Sequence, residues 1–193
     1  MRLDLVVGPN GGGKSTFVRL TLAPVLPHAA FVNADLIARQ RWPHDAETHS
    51  YEAARIAAAT REALIARREP FIAETVFSHP SKVDLLRQAA AAGYYTAFHV
   101  VLVPEALAVA RVAARVAAGG HNVPEKKIRG RYRRLWPLVS EAIMLADTAT
   151  VYDNSQRRGP RVVADFSHGF VVGKPLWPDW APDALTDRWP RDA

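Results

Sequence analysis

Cysteine is absent from the 193-residue chain, which removes disulfides, thiol catalysis and thiolate metal sites together. Long apolar runs are missing as well. Nothing approaches the ~20 consecutive apolar residues of a membrane span. The opening MRLDLVVGPN meets a glycine too early for the apolar core of a signal peptide. There is no internal repeat and no low-complexity linker. His79 and His99 each stand without a partner histidine at ligand spacing, so they read as packed or solvated rather than metal-bound. What remains is ordinary for a globular protein: 49% hydrophobic and 23% charged, with a mean hydropathy of -0.09. These features predict a soluble, cytoplasmic protein that folds without metal or cross-link.

Charge of one sign is in excess. Twenty-five Lys and Arg against 19 Asp and Glu leave +6. Such a balance fits a nucleic acid, an acidic membrane surface or a phosphorylated small molecule, and equally a helix surface decorated with arginine. Charge alone leaves the choice open.

Along the chain, short apolar runs alternate with helical patterns. Residues 2–7 read as a buried strand, followed by a glycine loop over 8–13 and a helix from Lys14 to Leu26 that Pro24 and Pro27 close. Further strands are predicted at 30–32, 71–73, 95–103, 148–152 and 161–165. Helices are predicted near 48–68, from Pro80 to Gly93 with Val83, Leu86 and Ala90 on its stripe, over 105–117, and from Pro124 to about Ala146. Pro137 should kink the last of these. The pattern predicts an α/β fold, a mostly parallel sheet of about five strands with helices on both faces. The division expected is a main domain over 1–176 and a Trp/Pro-rich tail over 177–193. Trp177, Trp180 and Trp189 of that tail either pin it across the domain or form a partner surface.

Gly8-Pro9-Asn10-Gly11-Gly12-Gly13-Lys14-Ser15 satisfies G-x-x-x-x-G-K-[ST] at every fixed position, between a predicted strand and a predicted helix. Glycines let successive backbone N–H groups turn inward and approach phosphate oxygens without a Cβ in the way. Lys14 can then reach the β- and γ-phosphates of ATP or GTP, and the Ser15 hydroxyl can ligate Mg²⁺. Thr16 completes the nucleotide-binding stretch. Kinases, motors and switches share this loop, so the remaining residues must discriminate.

Asp35 follows the second strand, and Glu74-Thr75 ends the third. In an open α/β sheet both places face the crevice outside the carboxyl ends of the strands. Asp35 reads as a general base or Mg²⁺ ligand, or as the N-cap of a helix beginning at Leu36. Glu74 reads as orienting a metal-bound water or binding substrate hydroxyls, or as a capping or salt-bridging residue. Residues 111–134 form an arginine-rich lid around Gly119-Gly120-His121-Asn122-Val123-Pro124. Arg111 and Arg115 share a helix face. In the next helix Ile128, Tyr132, Leu135 and Val139 form the predicted buried stripe, and Arg131 lies nearest to it, ahead of Arg129, Arg133 and Arg134. These guanidinium groups suit charge neutralisation on a transferring phosphoryl group; the alternatives are a solvated basic face or a nucleic-acid patch. The aromatic residues do not alternate with the basic ones as stacking platforms would, so nucleic acid is not the expected partner.

These stretches resemble the zeta-toxin family, whose members are related to UDP-N-acetylglucosamine kinase. The matching pieces are GPNGGGKST (8–16), VNADLIA (32–38), AETVFSH (73–79), RVAARVAAGGHNVPEKKIRGRYRR (111–134) and LADTATVYDNS (145–155). The resemblance implies a P-loop small-molecule kinase that uses ATP or GTP with Mg²⁺ and acts on a hydroxyl of a UDP-N-acetylglucosamine-type sugar nucleotide. It implies Asp35 as general base, Lys14 and Ser15 on phosphates and Mg²⁺, and Glu74, Thr75, Arg111 and His121 at the substrate. Arg115 and Arg131 would stabilise the transferred group, Asn154 and Ser155 would lie near the nucleobase, and an antitoxin protein is the implied partner. His121 stands where the best-studied toxins carry a second lid arginine, and Arg131 takes that place. This chain is also shorter and lacks their longer substrate-binding insertions.

Overall fold

The computed structural model describes residues 1–120 and 123–191. Seven strands form one sheet in the order β2-β3-β1-β4-β5-β6-β7. The strands are β1 (Arg2–Val7), β2 (Ala30–Asn33), β3 (Phe71–Thr75), β4 (Tyr95–Leu102), β5 (Thr148–Asp153), β6 (Arg161–Ser167) and β7 (Phe170–Val172). The first five are parallel, and β6 and β7 add an antiparallel margin. The α/β class and the parallel sheet are as predicted; the strand count of five is corrected to seven. Six strand segments, one more than the expected count, are predicted along the chain; the seventh, β7, is made by a two-residue turn, His168-Gly169, with φ of 48° and 80°. Positive φ at both central positions is the primed geometry that matches the twist of a hairpin, and it folds the three-residue β7 back onto β6.

Strand β1 lies at the switch in strand order, with β3 on one side and β4 on the other. Its period-2 alternation sends Leu3, Leu5 and Val7 into the main core and Val6 into a smaller cluster with Phe17, Val18 and Leu22. Helices α2 (Ala34–Arg41), α3 (Ser50–Ala66), α4 (Ser81–Ala91), α5 (Glu105–Ala117) and α6 (Glu125–Leu145) follow as connections. On α4 the buried stripe runs through Val83, Leu86 and Ala89, and the expected Ala90 is exposed. On α6 the predicted stripe of Ile128, Tyr132, Leu135 and Val139 is buried, and the helix continues through Pro137. The helix after the glycine loop is shorter than expected. The regular turn α1 (Lys14–Phe17) ends early, and a wider i→i+5 segment carries the chain to Leu22. Pro24 has no N–H to extend the ladder and its ring would crowd the preceding turn.

The tail packs onto the sheet. Trp177 and Trp189 are buried in the same core as β1 and α6. The Trp177 indole donates to the Trp189 carbonyl (2.8 Å), and Trp189 donates to that of Gly169 (3.2 Å). The short helix α7 (Asp183–Thr186) contributes Leu185, fully buried, to that core.

One polar network lies inside the sheet. Asp4, 1% exposed, accepts from Arg2 (2.7 and 2.8 Å) and from His99 Nε2 (2.9 Å). Burial alone would raise the Asp4 carboxyl, but the hydrogen bonds from Arg2 and His99 together hold it below its ordinary value. A depressed carboxylate stabilises the fold above its unfolded pKa of ~3.9, and that contribution is lost as the pH falls through the folded value. Asp4→Asn is expected to cost about 1–3 kcal/mol at neutral pH. Urea denaturation should show the gap to the unsubstituted protein closing in acid, below the ordinary carboxylate range. An undiminished gap there would exclude the ionised pairing.

Candidate active site

The glycine loop leaves β1 at the carboxyl end of the sheet, where α/β folds hold ligands. Three of its glycines are required by geometry, the first being Gly8, with φ 150° and a Cβ position 2.4 Å from the Val101 carbonyl oxygen. Gly11 has φ 74° and a Cβ there would lie 2.5 Å from the Ala108 carbonyl oxygen; Gly13 has φ 91° and a Cβ would lie 2.5 Å from Asn154 Nδ2. The loop is closed by Gly12 N–H donating to the Pro9 carbonyl (3.1 Å), which also accepts from Lys14 Nζ (2.9 Å). Asn154, just past β5, donates to the Gly12 carbonyl (2.8 Å) and braces the loop from the far side.

Lys14 is 7% exposed. Burial lowers its ammonium pKa; Glu74 and Asp35 pull it back up, and Arg115 and Arg131 add repulsion. The lysine thus sits among four charged side chains drawn from different elements. A cavity of 350 Å³ opens over it, lined by Asn10, Gly11, Gly13, Lys14, Ser15, Thr16, Arg39, Glu74, Arg111 and Arg115. Backbone of the loop on one side and four cations around it make this a receptacle for a polyanion.

Glu74 stands on the floor of that cavity. Its Oε1 accepts from the Ser15 hydroxyl (3.0 Å) and its Oε2 from Asn33 Nδ2 (2.7 Å). A hydroxyl and a carboxylate side by side are the hard oxygen donors that Mg²⁺ prefers. Among the described residues no cluster of three or more His, Cys, Asp or Glu could hold a metal. An ion at Ser15 and Glu74 would therefore complete its shell with phosphate oxygens and water, as Mg²⁺ does.

Beside this lies a second cavity of 260 Å³, sharing Glu74 and lined also by Asp35, Thr75, Tyr51, Arg61, Lys82, Lys127 and Arg131. Asp35 does not cap α2. Asn33 does, its side chain accepting from Leu36 N–H (3.0 Å), and α2 begins at Ala34 with Asp35 in its first turn. Asp35 is exposed and faces both this cavity and a smaller one of 140 Å³ that holds Arg39, Arg115 and Ser50. Thr75 Oγ1 accepts weakly from Phe77 N–H (3.4 Å). Phe77 takes a φ of 62°, a strained value for a bulky residue, held by full burial of its ring against Phe98.

The lid arginines separate by surroundings. Arg131 donates to Asn10 Oδ1 (3.4 Å), tying α6 to the loop, and its pKa is lowered by burial while Asp35 raises it. Arg111 and Arg115 line the phosphate cavity. Arg129 pairs with Glu105 (3.3 Å) and Glu125 (2.8 Å), away from the cleft, and Arg133 and Arg134 are exposed. His121 lies outside the described residues. Of the expected residues the structure gathers Lys14, Ser15, Thr16, Asp35, Glu74, Thr75, Arg111, Arg115 and Arg131 into adjoining cavities. Asn154 meets the loop backbone, and Ser155 N–H donates to Asp153.

Three residues escaped the sequence reading. Arg39 is four residues beyond Asp35 and donates to its carbonyl (3.3 Å), an i,i+4 relation that was there to be used. Arg61 lies on the same stripe of α3 as Ala53, Ala57 and Leu64, an arginine at a core position. Lys82 carried no signal beyond its place after the third strand.

Comparison with known proteins agrees with this geometry. The family described as AAA domain matches residues 3–138. Among solved structures, the AvrRxo1-ORF1:-ORF2 complex with ATP is similar at a TM-score of 0.71 and 14% identity, covering 89% of this chain and 60% of that one. A structure from the PezAT chromosomal toxin-antitoxin system of Streptococcus pneumoniae reaches 0.62 at 12% identity, covering 98% and 78%. Shikimate kinase from Acinetobacter baumannii, in complex with shikimate, reaches 0.53 at 19%, covering 81% and 85%. This chain thus spans 60% of the length of the AvrRxo1 protein. No curated protein matches it in sequence. Among the described residues no helix is long and apolar enough to cross a membrane.

Proposed function

The chain belongs to the AAA-domain family, with a P-loop kinase-like domain, and from that premise we propose that it is a kinase for a small hydroxyl compound. ATP or GTP lies along residues 8–16, and the γ-phosphoryl group passes to an acceptor in the neighbouring cavity. The observation that carries this reading is the junction of two cavities at Glu74, with Asp35 beside it in the second. A motor or switch needs the first cavity only.

Asp35 takes the proton of the acceptor hydroxyl as its oxygen bonds to the γ-phosphorus, and the bond to the β–γ bridging oxygen breaks to release the diphosphate. Lys14 holds the β- and γ-phosphates. Arg115 and Arg131, with Arg111, neutralise charge on the group in transfer. Ser15 and Glu74 would hold Mg²⁺, which would supply charge neutralisation for the phosphates. Thr75 orients the acceptor, and Asn154 keeps the loop in its binding shape.

The resemblance to zeta toxins favours a UDP-N-acetylglucosamine-type acceptor, and the fold likeness to a toxin-antitoxin protein favours an antitoxin as protein partner. The acceptor cavity supports a second reading. At 260 Å³ it falls below the ~300–1,000 Å³ usual for ligand pockets, which suits a smaller hydroxyl compound. The test is transfer of label from γ-labelled ATP or GTP with Mg²⁺ to a panel of acceptors. Label on UDP-N-acetylglucosamine establishes the first reading, and label on a smaller acceptor the second. Steeply salt-dependent RNA or DNA binding without transfer to any acceptor overturns both.

A further inference from the structure

Helix α3 lines the acceptor cavity with one stripe, Ser50, Ala54, Ala57 and Arg61. The two alanines leave room, and the arginine at the end of the stripe is 7% exposed. Opposite it, on the first turn of α4, stands Lys82, half-buried and lining the same cavity. Among the described residues neither cation makes a hydrogen bond or an ion pair. The carboxylates of the cavity are elsewhere: Glu74 is engaged by Ser15 and Asn33, and Asp35 stands on α2. Burial lowers the pKa of both groups, and Arg61 lowers that of Lys82 further; only Glu62 acts in the other direction on Arg61. A guanidinium out of water beside a second cation, without a counter-ion, is an expensive arrangement that an entering anion relieves.

We infer that the acceptor carries an anionic group, carboxylate or phosphate, and that Arg61 and Lys82 bind it. The inference rests on the kinase reading and narrows its substrate class. The planar fork of Arg61 suits two oxygens of one anion, and Lys82 adds a point charge. Placement then defines the molecule further. The rise of α3 from Ser50, beside Asp35, to Arg61 is about 16 Å, shortened because helical side chains lean toward the N-terminus. The acceptor is elongated, with the reacting hydroxyl at the Asp35 end and the anion at the other. A sugar nucleotide satisfies this through its diphosphate, and so does an extended hydroxy acid; a neutral sugar does not.

The test loads the protein with Mg²⁺ and a non-hydrolysable ATP analogue to fill the loop, then titrates inorganic phosphate, malonate and glycerol by NMR. Binding of phosphate, malonate or both, but not glycerol, is expected, and which anion binds tells phosphoryl from carboxylate. Arg61→Met and Lys82→Met should each weaken that binding about tenfold or more, with analogue affinity unchanged. Arg61→Met should also raise Tm, because it removes an unpaired buried charge. Lys82→Met, on a half-buried surface turn, tests the site even if the Arg61 variant fails to fold. No anion binding to the loaded protein, or equal affinity in the Lys82 variant, overturns the inference. So does a lower Tm with unchanged anion affinity in Arg61→Met, which would make Arg61 structural. Failure of the unaltered protein to bind the analogue at all would instead defeat the kinase reading.

Discussion

Lys14→Ala is expected to weaken binding of the non-hydrolysable ATP analogue by about 10- to 100-fold, the worth of a charge-assisted hydrogen bond or two in a shielded site. The fold should tolerate the change. Lys14 is a buried cation whose desolvation outweighs the pull of Glu74 and Asp35, and its direct bond among the described residues is to the Pro9 carbonyl. Removing it relieves a buried charge while leaving the loop closed by the Gly12 N–H and the Asn154 amide. The loss should therefore appear in affinity and turnover and not in Tm. Calorimetry on both proteins, with thermal denaturation alongside, decides it. Affinity within about twofold of the original would remove Lys14 from the phosphates.

Asp35→Ala carries the other large effect, in the opposite place. Turnover should fall by about 10²- to 10⁴-fold, the usual contribution of a positioned base, while nucleotide affinity stays level or tightens as a negative charge leaves the cleft. The structural cost is small because Asn33, not Asp35, caps α2. What is lost there is one acidic side chain in the first helical turn, about 0.3–1 kcal/mol. Single-turnover rates in the presence of an identified acceptor give the measurement. A rate within a few-fold of the original would pass the base role to another group, with Glu74, the other carboxylate lining that cavity, the candidate.

Local patterns made much of this readable. The strand–loop–helix order around residues 2–17 announces its own geometry, since only glycine accepts the backbone that Gly11 and Gly13 adopt. The helical wheel of α6 was enough to set Arg131 toward the cleft and Arg129 away from it, because Ile128, Tyr132, Leu135 and Val139 fix the rotation of the helix. Where the reading failed, the deciding contact was remote in sequence or too brief to register. Strand β7 is three residues long and exists only because His168 and Gly169 turn it onto β6. The cap of α2 lies at Asn33, two residues before Asp35, for which the sequence left capping open beside a catalytic role; both are good capping residues and periodicity cannot rank them. Arg61, one of two arginines in the Ala-rich α3, was overlooked, although its spacing from Ala53 and Ala57 already placed it inward.

The two margins of the sheet have a consequence for behaviour at high concentration. Strand β2 has four residues and β7 has three, so few unpaired backbone groups are on offer to a passing chain. Self-association through strand pairing is correspondingly starved of hydrogen bonds. It must rely on the side chains of Phe170 and Val172, 78% and 60% exposed, at one rim. Should the protein cloud on concentration, that rim is where polymerisation would begin.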